Sequence, residues 1–385
     1  MESRLFSPMT IRDVTWKNRV MVSPMWQYCA FEGFPTDWHL MNLGRFADGG
    51  AGLVFQEGTT VERRGCGGRG DLAIWDDVYI EPLRRIADLV RANGAVPAIQ
   101  LMHAGRKARQ KVPYDGRGPL EYCEDIKDWD AWELIGPSAL ASEGADVPRE
   151  MTLSDISAVV QAFADAARRA EEIGYDAMEI HGAHGYLVHQ FLSPASNQRG
   201  DRYGGSLENR MRFASEVVEA VRSQWPAGKP LFMRLSCVDG AGWEMADTVA
   251  LTRRLMTLGV DLIDCSSGGL AGSPIPVGQS ATYGYQVPYA AALKRETGVL
   301  TAAVGLIVHA EQAEAILSRG DADMVALARE MIYNPNWTID AAQKLGVDPT
   351  FAVTRRRTAF WLDRRAATVP GLVPSTFGRA PEGAA

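Results

Sequence analysis

The chain has 385 residues, 46% of them hydrophobic and 23% charged, which is the balance of a protein that buries a sizeable core rather than a disordered one. A formal charge of -7 argues against a general affinity for nucleic acid or acidic membrane and leaves a small molecule as the expected partner. The opening MESRLFSPMTIRDVTWKNR lacks an apolar h-region and no later run is long enough to span a bilayer, so the expectation is a cytoplasmic protein with no membrane partner.

Short runs rich in Val, Ile and Leu alternate with longer amphipathic stretches, the pattern of parallel strands joined by crossover helices. In chain order the expected strands lie near residues 18–23, 52–57, 96–101, 176–181, 231–236, 261–266, 299–304 and 323–327. Eight strands favour closure into a single (β/α)8 TIM barrel, an α/β fold, over the doubly wound alternative. Helices are expected from Leu153 to Ile173, before Gly174, and from Leu207 to Trp225, before Pro226. The segment from Lys107 to Pro148 carries Pro, Gly, Trp and acidic residues without a helical period. It reads as a long loop excursion after strand 3, placed over the catalytic face as a lid or substrate wall. One domain is expected over residues 1–365, with 366–385 a flexible tail rich in Pro, Gly and Ala.

The five cysteines are widely spread and contain no CxxC, which disfavours both disulfide scaffolding and an iron–sulfur cluster. His181 and His184 form an HxxH, but zinc requires further ligands and a supporting shell, so no metal site is expected.

The sharpest local signal is HGAHGYLVHQFLSPASNQRGDRYGGSLENR, from His181 to Arg210, directly after an expected strand. At a barrel mouth, His181 and His184 can direct donors at an anionic oxygen while Tyr186 hands a proton to a developing carbanion. Taken alone, HxxHxY is also compatible with a hydrogen-bonded loop of no catalytic role. The segment closely resembles the active-site signature of the old yellow enzyme family of FMN oxidoreductases. The resemblance continues, in the family's order, through SPM at Ser23 to Met25, QLMHAGRKA at Gln100 to Ala108, MRLS at Met233 to Ser236, AVG at Ala303 to Gly305 and ALAREMIYNPNW at Ala326 to Trp337.

That resemblance implies a (β/α)8 barrel with FMN at the C-terminal ends of the strands and NAD(P)H as the reductant. The implied reaction is hydride transfer to the β carbon of an activated alkene such as an enone, maleimide or nitroalkene. It assigns His181 and His184 to the substrate's carbonyl or nitro oxygen, Tyr186 to protonation of the α carbon, and Tyr28 to a substrate contact. Ser23, Pro24, Met25, Gly58 and Gln100 match positions around the isoalloxazine ring, and Arg234 matches the arginine at its N1 and C2 carbonyl edge. Gly305, Ala328 and Arg329 match the phosphate end, where barrels place backbone N–H groups after strands seven and eight. A homodimer or homotetramer is usual in the resembling bacterial branch, where C-terminal arginines reach a neighbouring site; Arg355, Arg356 and Arg357 are the candidates, or else a solvated basic cluster.

Two departures stand out. Ala328 replaces the family's usual glycine before the phosphate-end arginine, which keeps the backbone N–H. Trp26 stands where a cysteine or threonine commonly touches the flavin C4 carbonyl, so either its ring turns away or the substrate space is reshaped, with Cys29 a partial substitute. Trp26 leaves open a second reaction class on the same scaffold, oxidation such as betaine N-demethylation or carbonyl desaturation. There Trp26, Tyr28, Trp38 and Trp243 would have to gather round a cationic substrate. A non-catalytic flavoprotein is the third possibility, disfavoured by the presence of His181, His184 and Tyr186.

Overall fold

The computed structural model describes residues 3–374 except 117, 127, 271–274, 276–279 and 370. Its centre is a closed parallel barrel of eight strands: β1 (Val20–Val22), β2 (Leu53–Thr60), β3 (Val96–Met102), β4 (Ala177–Gly182), β5 (Leu231–Ser236), β6 (Leu262–Ser266), β7 (Leu300–Ala303) and β8 (Met324–Leu327). Each pairs with its neighbours in chain order, and β8 pairs back on β1 with Leu327 opposite Val22. The strands read as nearly unbroken apolar runs because both faces are buried, one by outer helices and one by the barrel's own interior.

Helices α1 (Asp37–Asp48), α2 (Ile80–Ala92), α3 (Leu153–Ile173), α4 (Leu187–Leu192), α5 (Leu207–Gln224), α6 (Met245–Thr257), α7 (Val287–Thr297) and α8 (Ala310–Ser318) form the crossovers. The expected helix α3 begins at a capping box, Thr152 with Asp155, and ends where Gly174 takes φ +97°. The expected helix α5 stops one residue early. Trp225 adopts φ -91°, ψ 125° because the following Pro226 disfavours the helical region for the residue before it.

Alternate residues point inward in stacked layers. The floor is apolar, with Phe55, Ala98, Ala177, Phe232, Leu262, Ala302 and Met324 packed in one cluster. An antiparallel hairpin, Met9–Ile11 with Val14–Trp16, closes the N-terminal end, and Trp16 meets Phe232 edge-on at 6.2 Å.

The excursion after β3 is held to the segment after β2 by a small core in which Ile126 and Trp132 pack with Cys66, and against which Trp75 and Trp129 lie. Trp132 is fully buried, donates from Nε1 to the Cys66 carbonyl at 3.0 Å, and carries the Arg63 guanidinium over its ring. Near the chain's end a helix, Arg356–Thr368, keeps all its side chains at least partly exposed, including those of Arg356 and Arg357. Most of the tail expected over 366–385 lies outside the described residues.

Candidate active site

One layer above the apolar floor the barrel interior turns polar. Gln100 of β3, Glu179 of β4, Arg234 of β5 and Asp264 of β6 all point inward there. Arg234 Nε lies 3.2 Å from Asp264, and Gln100 Nε2 donates to Glu179 Oε1 at 2.7 Å. Burial pushes the Glu179 carboxyl well above the usual range, Asp264 adds to this, and Arg234 opposes it. Asp264 is raised in the same direction by burial. Arg234, expected inside an apolar strand run, is thus a paired interior cation rather than a surface one.

The next layer up contains His181 at the end of β4, Ser236 at the end of β5 and Ser266 at the end of β6. The loop leaving β4 is fastened at successive peptide groups. His184 N–H donates to Ser236 Oγ at 3.0 Å, Gly185 N–H to His189 Nδ1 at 2.8 Å, and Lys107 Nζ to the His184 carbonyl at 2.8 Å. This fastening holds His184 at φ +59°, a conformation that non-glycine residues seldom adopt. It also gathers the three expected side chains, with ring centroids 4.9 Å apart for His181 and Tyr186 and 5.1 Å for His181 and His184. Burial, then the nearby Arg234, lowers both histidine pKa values well below 6.5, so both rings are neutral at neutral pH. Burial raises the Tyr186 hydroxyl pKa, with Tyr28 and Asp71 acting the same way, so it keeps its proton.

Trp26 donates its indole N–H to the Gly58 carbonyl, at 2.8 Å. Its ring lies edge-on to Tyr186 at 5.2 Å and against Tyr28 at 5.7 Å, and Tyr114 of the excursion meets Tyr28 at 6.1 Å. Gly58 suits this close approach, since a Cβ there would stand 3.1 Å from both Trp26 Nε1 and the Met102 side chain. Cys29 Sγ lies 3.1 Å from the Gln27 carbonyl, to which it donates. The four aromatics considered for a cation cage are not brought together either. Trp243 is buried in the main core and donates to Thr248, while Trp38 is 40% exposed beside Gln27.

At the opposite rim, Gly305 follows β7 with φ +97°, and Ala328 and Arg329 follow β8, so the phosphate-end residues emerge from adjacent strands. Ser23 follows β1 with its hydroxyl buried and unpartnered among the described residues, and Glu179 Oε2 is likewise buried without a hydrogen-bond partner. Unfilled polar valences around a glycine-lined mouth fit a flat heterocycle with many hydrogen-bonding edges and a phosphate tail. Among the described residues, no group of three or more His, Cys, Asp or Glu is arranged to hold a metal ion, and no helix is long and apolar enough to cross a membrane.

Residues 4–347 match the NADH:flavin oxidoreductase / NADH oxidase family. The chain belongs to this family. It is an FMN-dependent NAD(P)H oxidoreductase of the old yellow enzyme type, with FMN as cofactor and NAD(P)H as reductant. It is 45% identical over 362 residues to the NADPH dehydrogenase of Geobacillus sp. (strain WCH70), covering 93% of this chain and 99% of that one. It is 44% identical over 352 residues to the NADPH dehydrogenase of Geobacillus thermodenitrificans (strain NG80-2), covering 90% and 96%. Among solved structures, morphinone reductase superposes with a TM-score of 0.75 at 26% identity, covering 90% of each chain. A 2-naphthoyl-CoA reductase superposes with a TM-score of 0.78 at 25% identity, and this chain spans 53% of it.

Several residues of the oxidoreductase's mouth escape motif reading. Glu179 and Asp264 carried a usable signal, a charge inside an apolar strand run, in AMEIHG and LIDCS. Ser266, Gln286 and Asp71 carried none, because their importance comes from partners far away in sequence.

Proposed function

We propose that the protein reduces electron-poor alkenes: enones, maleimides or nitroalkenes. The observation that carries this reading is the convergence of His181, His184 and Tyr186 in one corner of the mouth, above Arg234. Bound FMN, once reduced by NAD(P)H, supplies the hydride. Pro24, Met25, Gly58 and Gln100 would line its ring. Arg234 would lie at the ring edge where negative charge collects on reduction, and Gly305, Ala328 and Arg329 would hold the phosphate.

The chain's own part is to polarise and to protonate. Two neutral imidazoles donate to the substrate's carbonyl or nitro oxygen, which lowers the energy of enolate-like charge without adding a fixed cation. Tyr186, kept protonated by its surroundings, delivers its hydroxyl proton to the α carbon. Trp26 and Tyr28, with Tyr114 at the outer edge, would give the substrate an aromatic wall.

Anaerobic stopped-flow reoxidation of the NADPH-reduced enzyme by enones, maleimides and nitroalkenes tests this. Rapid reoxidation is expected, with Tyr186→Phe slowed roughly 10²-fold or more in forming protonated product, as loss of a general acid predicts. If no alkene reoxidises the flavin, the substrate class is wrong.

A further inference from the structure

The two histidines differ in what fixes their protons. His181 Nδ1 accepts the Ala183 N–H at 3.2 Å, so in a neutral ring the proton sits on Nε2. That Nε2 lies 3.4 Å from His184 Nδ1, with the rings nearly perpendicular at 85°. The contact is long for a hydrogen bond between nitrogens. On its other side His184 is held closely, Nε2 standing 2.7 Å from Ser266 Oγ. Ser266 in turn receives the side-chain amide of Gln286, whose Nε2 lies 3.3 Å from Ser266 Oγ and 2.7 Å from Ser267 Oγ. Gln286 and Ser266 are both about 98% buried, at 2% exposure each, so no solvent competes for these bonds.

A hydroxyl has one proton to give and two lone pairs to fill. Gln286 approaches Ser266 with N–H groups only, which leaves the Ser266 proton for a different acceptor. His184 Nε2, 2.7 Å away, is placed to accept it.

We propose that Ser266 is a positioning residue: its hydroxyl, oriented by Gln286, donates to His184 Nε2 and thereby places the proton of that ring on Nδ1. His184 Nδ1–H and His181 Nε2–H then face each other across a gap that neither can close. An oxygen set between them satisfies both donors at once, as the substrate's developing oxyanion would. With the opposite tautomer, His184 would accept from His181 and the pair would present no second donor. The inference rests on the proposed role of these histidines and says how the protein builds it. Its positional logic is that of a partner on one ring nitrogen selecting the state of the other.

The experiment uses FMN-loaded protein labelled with 15N-histidine. Only six histidines are present, so His184 can be assigned with His184→Gln. Long-range 1H–15N correlations distinguish the protonated from the bare ring nitrogen. The expected result is a protonated Nδ1 in the wild type, a shift toward protonated Nε2 in Ser266→Ala, and the wild-type pattern in Ser266→Thr. In parallel, 4-nitrophenolate serves as an oxyanion probe: its affinity should fall about tenfold in Ser266→Ala and stay within about twofold in Ser266→Thr, the scale of one charge-assisted hydrogen bond. A protonated Nε2 on His184 in the wild type overturns the proposal whether or not the Ser266 variants fold. So does an unchanged tautomer and probe affinity in Ser266→Ala. Neither measurement needs turnover, so failure of alkenes to reoxidise the enzyme removes the substrate class and leaves this result intact.

Discussion

Buried acids around the mouth make pH a sensitive variable, and Asp71 isolates one of them. Burial raises its carboxyl to about 7, although the N–H groups of Gly67 and Gly68 donate to Oδ2 at 2.6 and 3.2 Å and pull the other way. The folded protein therefore binds this proton more tightly than the unfolded chain, whose Asp titrates near 4. Its contribution to stability is full below about pH 4 and is lost as pH rises through about 7. Asp71→Asn keeps an acceptor for both N–H groups and deletes that titration. Urea midpoints at pH 5 and pH 7.5 should fall less in the variant than in the wild type; an equal fall would mean Asp71 is ionised throughout. Glu57, Glu179 and Asp264, all raised by burial, act in the same direction in both proteins, and His39, His181, His184 and His189, lowered by burial, act in the opposite one, so the comparison between wild type and variant carries the test. Trp26 acts through volume instead. With its N–H spent on Gly58 and its ring against Tyr186 and Tyr28, it would serve the proposed reaction as substrate wall rather than as a donor to the flavin. Trp26→Thr should raise kcat/KM for bulky enones relative to 2-cyclohexenone by tenfold or more, and an unchanged ratio would remove Trp26 from the specificity wall. The sequence marked position 26 as anomalous but not which way the indole points, because Gly58, its hydrogen-bond partner, lies on the next strand.

At the level of elements, the site depends on two loops touching backbone to backbone. Gly269, φ +84°, follows β6, and a Cβ there would stand 2.5 Å from His184 Cα; a Cβ on Gly185 would stand 2.6 Å from the Gly269 carbonyl. Gly269→Ala is strained in conformation and presses on His184 as well, while Gly200→Ala meets open space and serves as the control. The first should lower kcat/KM for an alkene more than tenfold with FMN affinity held within about threefold, since small displacements of a positioned group are costly. Equal activity in the two variants would show that the loop contact does not set His184. Strands and helices were legible because their periodicity is local: every expected strand appears, and α3 has the expected ends. The excursion was legible only as a break in rhythm. Its organising contacts, Trp132 with Cys66 and Arg63, join residues more than sixty positions apart, which no window of sequence displays.

Across the whole molecule the barrel divides its labour along its axis, with an apolar floor, a charged middle layer and a polar mouth. The family resemblance located the mouth because its motifs fall at strand ends, and the closed parallel order bears out the eightfold alternation. The floor carries no motif, being a set of ordinary apolar residues whose partners are chosen by closure. Its keystone is Trp16, 2% exposed and packed on Phe232 from outside the barrel. Trp16→Ala should cost about 3–5 kcal/mol of unfolding free energy, the usual range for truncating a buried aromatic. Because Arg234 and the histidines stand in the layers above, FMN affinity under native conditions should change by less than about threefold. Urea denaturation together with FMN titration separates the two effects. A large loss of flavin affinity at full folding would mean that floor and mouth are mechanically coupled through β5, where Phe232 and Arg234 are only two residues apart on the inner face.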